Sequence, residues 1–264
     1  MDRLLVLRLD SVGLAAEAWL NGVPLARTGP AGGVQTLPVH EFTLAGANVL
    51  ELVVDPPPPG QVAAPAPWLS DGRCGARLRL LLPRIGQRAH PEYARTLAQI
   101  DWAPAAGEVC ELPATLRLAA ELPIAFPRWR WLDAPVVAEP QALVGAAATW
   151  LQAVALGLAR GDPEPLILAT RLRLEDIAQA YQRPLADEVG RLRLQVQQRH
   201  ASTPLKPVMP RADALRLRPV AGGRLLECLD ATGAAILHSP LGDGCRVEWP
   251  LRLAHIEGRF YALR

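Results

Sequence analysis

The chain has 264 residues, half of them hydrophobic, which supplies apolar surface for two modest domains or one large one. Its 28 Lys and Arg stand against 26 Asp and Glu, a formal charge of +2. That balance excludes the electrostatic footprint of a nucleic-acid binder or of a protein drawn to anionic membranes. Lys206 is the one lysine and every other basic residue is arginine. With abundant Ala, Leu and Pro, this reads as the codon bias of a GC-rich bacterial genome rather than as an arginine-built anion site.

The opening "MDRLLVLRLDSVG" has a short apolar run broken by Arg8 and Asp10, which predicts a strand and not a signal peptide. No run reaches the ~18 uninterrupted apolar residues that cross a bilayer, so a cytoplasmic protein without a membrane partner is expected. "AEAWLNGVPLAR", 16–27, places Asn-Gly between two apolar runs, the strongest short signal for a two-residue β-hairpin. "GPAGG", 29–33, has no helix after it and reads as a loop, not a phosphate cradle. Strands are predicted at "VLELVV", "ARLRLLL", "RTLAQIDW" and "ATLRLAAEL". Leu-Arg-Leu recurs at 7–9, 78–80 and 116–118, and strand alternation sends its leucines to one face and its arginine to the other. The Pro-rich 55–67 fits neither a helix nor a central strand and is expected to be a crossover or a long surface loop. Residues 1–126 therefore read as a β-sandwich.

"FPRWRWLDAPVVAEP", 126–140, reads as a packed linker, assigned to 127–139, because two tryptophans are costly to leave in water. Its Trp129, Arg130 and Trp131 are also the candidate partner interface. From 140 the rhythm becomes helical. Leu143, Ala147, Trp150, Leu151, Val154 and Leu158 follow helical spacing, and "RGDP", 160–163, stops that helix. A second helical stretch runs from Leu174 to Val196, to be kinked or divided by Pro184. Strand patterns return after "STPLKPVMP", with turns at Gly222-Gly223, Thr232-Gly233 and Glu257-Gly258 linking most of them into an antiparallel meander. Residues 140–264 thus read as an α+β domain. Cys74, Cys110, Cys228 and Cys245 lack metal spacing and are expected as buried free thiols, with a Cys228–Cys245 bridge as the alternative.

The hairpin residues Ala18, Trp19, Asn21 and Gly22, followed by Gly46, Asn48, Leu50 and Val53, resemble the galactose-binding-like jelly roll over about the first 55 residues. The resemblance implies a β-sandwich found beside glycoside hydrolases; Trp19 is expected in its core, since strand aromatics usually pack inward. The helix "ATWLQAVALGLARGDPEPLILAT", the second long helix and the ending "LRLAHIEGRFYALR" resemble the α+β cone of the nuclear transport factor 2-like family, with its scytalone-dehydratase-like and polyketide-cyclase-like members. That resemblance implies a curved antiparallel sheet around a pocket, in which family enzymes use Asp and His.

The residues that would line such a pocket are Trp150, Asp176, Tyr181, His238 and His255. A His–Asp pair there would do general acid–base work. Yet nothing in the spacing joins His238, His255 and Asp176, and Trp150 and Tyr181 sit at helical core positions. No nucleophile elbow, metalloprotease, P-loop or dinucleotide motif occurs, so no catalytic residue, metal or cofactor is assigned. The expected function is a non-catalytic protein-binding module, an adaptor, chaperone or immunity-type protein of a bacterial toxin or secretion system. The alternatives are a small-molecule binder or lyase- or isomerase-type enzyme using the cone, and a carbohydrate-binding auxiliary protein.

Overall fold

The computed structural model describes residues 4–59, 61–84, 90–242 and 245–264. The chain is rich in antiparallel sheet and carries four α-helices among the described residues. It divides into two compact units, Met1–Pro57 with Gln61–Arg128, and Pro58–Gly60 with Trp129–Arg264.

The N-terminal unit contains ten strands among its described residues. β1 (Val6–Val12), β2 (Ala16–Leu20), β3 (Val23–Arg27), β4 (Gly32–Pro38) and β5 (Gly46–Val54) come first. β6 (Ala66–Leu69), β7 (Gly75–Pro83), β8 (Ala94–Trp102), β9 (Val109–Leu112) and β10 (Ala114–Leu122) follow. Two four-stranded sheets, ordered β4-β1-β7-β8 and β10-β5-β2-β3, form a β-sandwich, and β6 pairs with β9 as a separate ribbon. Alternation builds its core. Leu7 and Leu9 of β1, Leu78 and Leu80 of β7, and Leu50 and Leu52 of β5 are fully buried, and the residues between them, Arg8, Arg79 and Glu51, take the opposite face of their strands. In β10, a sheet edge, Leu116 and Leu118 of the third Leu-Arg-Leu are half-buried while Arg117 is exposed.

The Asn-Gly turn joins β2 to β3, with Asn21 at φ 53 and Gly22 at φ 76, the two positive angles that a type I′ turn requires. Trp19 departs from expectation. Ala16, Ala18 and Leu20 take the inward positions of β2, so Trp19 shares the opposite face with Glu17, half-buried, and its Nε1 donates to Glu17 Oε2 at 3.0 Å. The "GPAGG" loop also runs into structure, since Gly32 and Gly33 open β4. Any side chain at Gly32 would meet Ser11 O and Val12 Cα of the neighbouring strand. The Pro-rich stretch has no regular structure among its described residues until β6 begins at Ala66; Gly60 lies outside them.

The C-terminal unit opens with 3-10 turns at Arg130–Asp133 and Pro140–Leu143. Then come α1 (Val144–Ala159), α2 (Glu164–Ala169), α3 (Arg171–Ala180) and α4 (Leu185–Ser202). Gly161 at φ 70 ends α1, and Asp162 N donates back to Gly157 O at 3.0 Å. The predicted second helix is divided into α3 and α4 by the segment ending at Pro184. Counted from Pro140, the 20 residues ending at Ala159 are long and apolar enough to cross a membrane by length and composition, against the expectation of no such segment. The reading by uninterrupted runs missed it because Gln141, Thr149 and Gln152 break the run without adding charge.

Six strands follow, β11 (Arg216–Val220), β12 (Leu225–Leu229), β13 (His238–Gly242), β14 (Cys245–Glu248), β15 (Arg252–Ile256) and β16 (Arg259–Ala262). They do not form one meander. The sheet runs β11-β12-β15-β16, and β13-β14 is a separate two-stranded ribbon inserted between β12 and β15. Pro240 lies within β13 opposite Arg246, and Pro250, which has no N–H to donate, lies in the link between the ribbon and β15. Ala147, Leu151, Val154, Ala155 and Leu158 of α1 share one apolar core with Leu217, Leu226, Cys228, Leu253 and Ala262 of the sheet.

Candidate functional site

The residues singled out from sequence fall into four places, all inside the C-terminal unit. Trp150 and His255 meet the same ring, with Phe260 6.5 Å from the first and 5.0 Å from the second, centroid to centroid. Both contacts are tilted aromatic packing. Tyr181 is buried beneath the Arg183 guanidinium, 5.3 Å from the ring centre. His238 lies with Nδ1 2.9 Å from Ala235 O, a local backbone contact at the mouth of its ribbon.

Asp176, on α3, is at the centre of a buried ion cluster. Arg130 Nη1 donates to its Oδ1 at 2.8 Å and Arg264 Nη1 to its Oδ2 at 2.9 Å. Arg264 in turn lies over the Trp129 ring at 5.7 Å. Three of the sequence candidates, Trp129, Arg130 and Asp176, therefore belong to one structural cluster. Trp129 and Trp131 are 0% and 2% exposed, so neither indole offers an edge to a partner. Arg130 is the accessible member of that triplet, and it also binds Glu175 at 2.9 Å.

Cysteine chemistry is equally constrained. Cys228 is buried, and burial, then the Glu227 charge, push its thiol well above the usual range. Burial and Asp71 raise Cys74 in the same direction. All four cysteines are free thiols, Cys74 and Cys110 half-buried and Cys245 exposed, so the expectation of burial holds for Cys228 alone. Among the described residues no group of three His, Cys, Asp or Glu is placed to hold a metal ion.

A cavity of about 260 Å³ lies elsewhere in the unit, between α2, α3, α4 and the Trp249–Leu251 link. Leu174 and Ile177 of α3, Leu192 of α4 and Trp249 make its apolar walls. Arg173, Arg191, Glu188 and Glu248 contribute charge. None of Trp150, Asp176, Tyr181, His238 and His255 lines it. Glu188 is buried and receives hydrogen bonds from Arg183 Nη1 at 3.2 Å and from Arg191 Nη1 at 3.0 and 2.9 Å. Arg173 Nη1 donates to Pro250 O at 3.4 Å. Helix charges at Glu188 and Arg191 look in sequence like any solvated i,i+3 pair. The usable signal was Glu188 beside the apolar Leu192 and Val196, together with a tryptophan followed by proline at 249–250.

The sandwich presents two surfaces. On the outer face of β1, β7 and β8, Arg8, Arg79 and Gln99 form one cross-strand row and Asp10, Arg77 and Asp101 the next. Arg8 Nη2 binds Asp10 at 2.7 Å and Arg79 Nε donates to Gln99 at 2.9 Å, while Arg77 pairs with Asp101. The arginines are thus compensated along the ladder. On the β6-β9 ribbon, Leu69 and Val109 stand opposite each other and are 64% and 67% exposed. Trp68 of the same ribbon lies 6.0 Å from Trp102.

Compared with protein-family models, curated proteins and solved structures, the chain has no match.

Proposed function

We propose that this chain is a non-catalytic protein-binding module, an adaptor, chaperone or immunity-type protein acting beside a bacterial toxin or secretion system in the cytoplasm. In this reading the sandwich is a galactose-binding-like jelly roll and the C-terminal unit a nuclear transport factor 2-like cone. One observation carries it. The space between α1 and the sheet, where a cone enzyme keeps its pocket, is filled by Leu151, Val154, Leu158, Leu226 and Leu253. The side chains suited to acid–base work are spent on structural contacts, Asp176 on two arginines, His238 on a backbone carbonyl and His255 on Phe260. The exposed Leu69–Val109 pair is the kind of apolar surface a partner covers.

The test is capture of partners from the native host, with H238A and H255A beside the unaltered chain. All three are expected to retain the same partner in stoichiometric amount. A small-molecule turnover that either substitution abolishes in a folded protein overturns the reading.

A further inference from the structure

β4 ends its sheet, with β1 on one side and no strand on the other among the described residues. Such an edge is a template for another strand, and proteins commonly blunt it with charge or proline. The other strands that end a described sheet or ribbon follow that rule. β8, β9, β10, β11, β14 and β16 carry charged residues, β3 carries Pro24 and Arg27, and β6 and β13 hold Pro67 and Pro240 in their interiors. "GGVQTLP", 32–38, has no charge, and its proline is its last residue. Val34 is 55% exposed, and Gln35 and Thr36 are exposed beside it.

The register with β1 shows which backbone groups are open. Val39 N donates to Leu5 O at 3.1 Å and Gly13 N to Ala31 O at 3.3 Å, just beyond the two ends of the β1-β4 pairing and in its register. Bonded pairs recur at every second residue of an antiparallel ladder. Gly33, Gln35 and Leu37 therefore bond β1, and Val34 and Thr36 turn N–H and C=O to the open side. The open stretch is bounded at both ends, since Gly32 N is spent on Gly29 O at 2.9 Å and Pro38 has no N–H.

These positions are symmetric about Gln35. When two β4 strands pair antiparallel around it, Val34 stands opposite Thr36 of the second copy, and each such pair exchanges its open N–H and C=O groups. Gln35 meets Gln35 of the second copy as a non-hydrogen-bonded pair, where side chains stand closest. Gly32 meets Pro38 of the second copy, so the ladder stops where neither residue has a donor to give. Asp10 lies beside Val34 and Arg8 beside Thr36. Each row across the seam thus carries Asp10 of one copy and Arg8 of the other, opposite charges and not like ones. One two-fold axis satisfies all these pairings, as a closed, self-complementary dimer requires.

We propose that β4 pairs with β4 of a second copy of this chain, antiparallel and centred on Gln35, joining two sandwiches through one continuous sheet. The proposal stands independently of the protein-binding reading. The seam is short, so the dimer is weak and transient.

Sedimentation velocity of the full chain from about 1 to 500 μM tests it. The mass is expected to rise from one chain, 28.5 kDa, toward two. Q35K and Q35E each set like charges face to face on the axis and are expected to weaken the dimer about tenfold or more. Mixing the two restores it, which separates a lost contact from a lost fold. V34P removes an outward N–H and no bond to β1, and is expected to weaken the dimer as well. Hydrogen exchange at the Val34 and Thr36 amides slows as the concentration rises. A chain that stays monomeric throughout the range, undiminished dimers of Q35K, Q35E and V34P, or no recovery on mixing overturns the proposal. Exchange at those amides that slows only when a different protein is added also overturns it, by giving the edge another occupant.

Discussion

Asp176 shows how much of this protein's polar chemistry is committed to holding it together. Its side chain is 4% exposed and that of Arg264 is 0%, so the two charges meet out of water. Attraction inside a low-dielectric interior offsets the loss of hydration only while both charges are present. D176N keeps the shape and removes the charge, leaving the Arg264 guanidinium buried against a neutral amide. Its expected cost is about 3 kcal/mol, the range for breaking a buried pair by losing one partner. R130Q removes the other arginine on the same carboxylate, but that side chain is 45% exposed. Screening and rotamer freedom limit such a pair to ~1 kcal/mol or less. Urea unfolding of the two variants measures the contrast. Equal midpoints would show that Arg264 does not depend on the Asp176 charge. The sequence marked Asp176 as a potential catalytic acid because a lone aspartate on a helix does not reveal its partners, and here they are 46 and 88 residues away.

The hairpin at 16–27 acts at the scale of elements, because its turn is fastened to the β5 strand. Asn21 Nδ2 donates to Phe42 O and to Asn48 Oδ1, both at 2.8 Å, and Asn21 Oδ1 accepts from Val49 N at 2.9 Å. Asn48 is fully buried, accepts from Leu44 N at 2.8 Å and donates to Leu44 O and Gly46 O at 3.0 and 2.8 Å. N48A would strand several of these groups in the interior, at a cost of about 1–3 kcal/mol for the first unsatisfied group alone. N48D restores the acceptor but not the donors and is expected to recover less than half of that loss, read from thermal midpoints. Full recovery would mean that the two donated bonds contribute nothing. The Asn-Gly turn and the alternating leucines of β1, β5 and β7 were legible in sequence, since each is a local pattern with one physical reading. β4, β6 and β9 were not, since a glycine pair, a proline and a four-residue length each weaken the strand signal. Trp19 was misplaced because propensity sets an aromatic in a strand but only register chooses its face. The cavity was illegible for a related reason. Its walls come from α2, α3, α4 and the link before β15, and no single periodicity brings Arg173, Arg191 and Trp249 together.

Across the whole molecule, two cores replace one. The sandwich closes around Leu7, Leu9, Leu50, Leu52, Leu78 and Leu80, whereas the C-terminal unit packs Leu151, Val154 and Leu158 on Leu226 and Leu253. No residue in the first set belongs to the cluster that holds the second. Cooperative unfolding follows shared contacts, so a protein with separate cores departs from a single two-state transition. Leu50 and Leu151 are both 0% exposed, and truncating either to alanine removes buried methyl groups and leaves a void worth about 2–5 kcal/mol. L50A is therefore expected to lower one component of the calorimetric trace and L151A the other, with the double variant showing both shifts in sum. If each single substitution moved the entire trace, the two cores would be one cooperative structure. The division at 128–129 would then describe chain contacts and not stability.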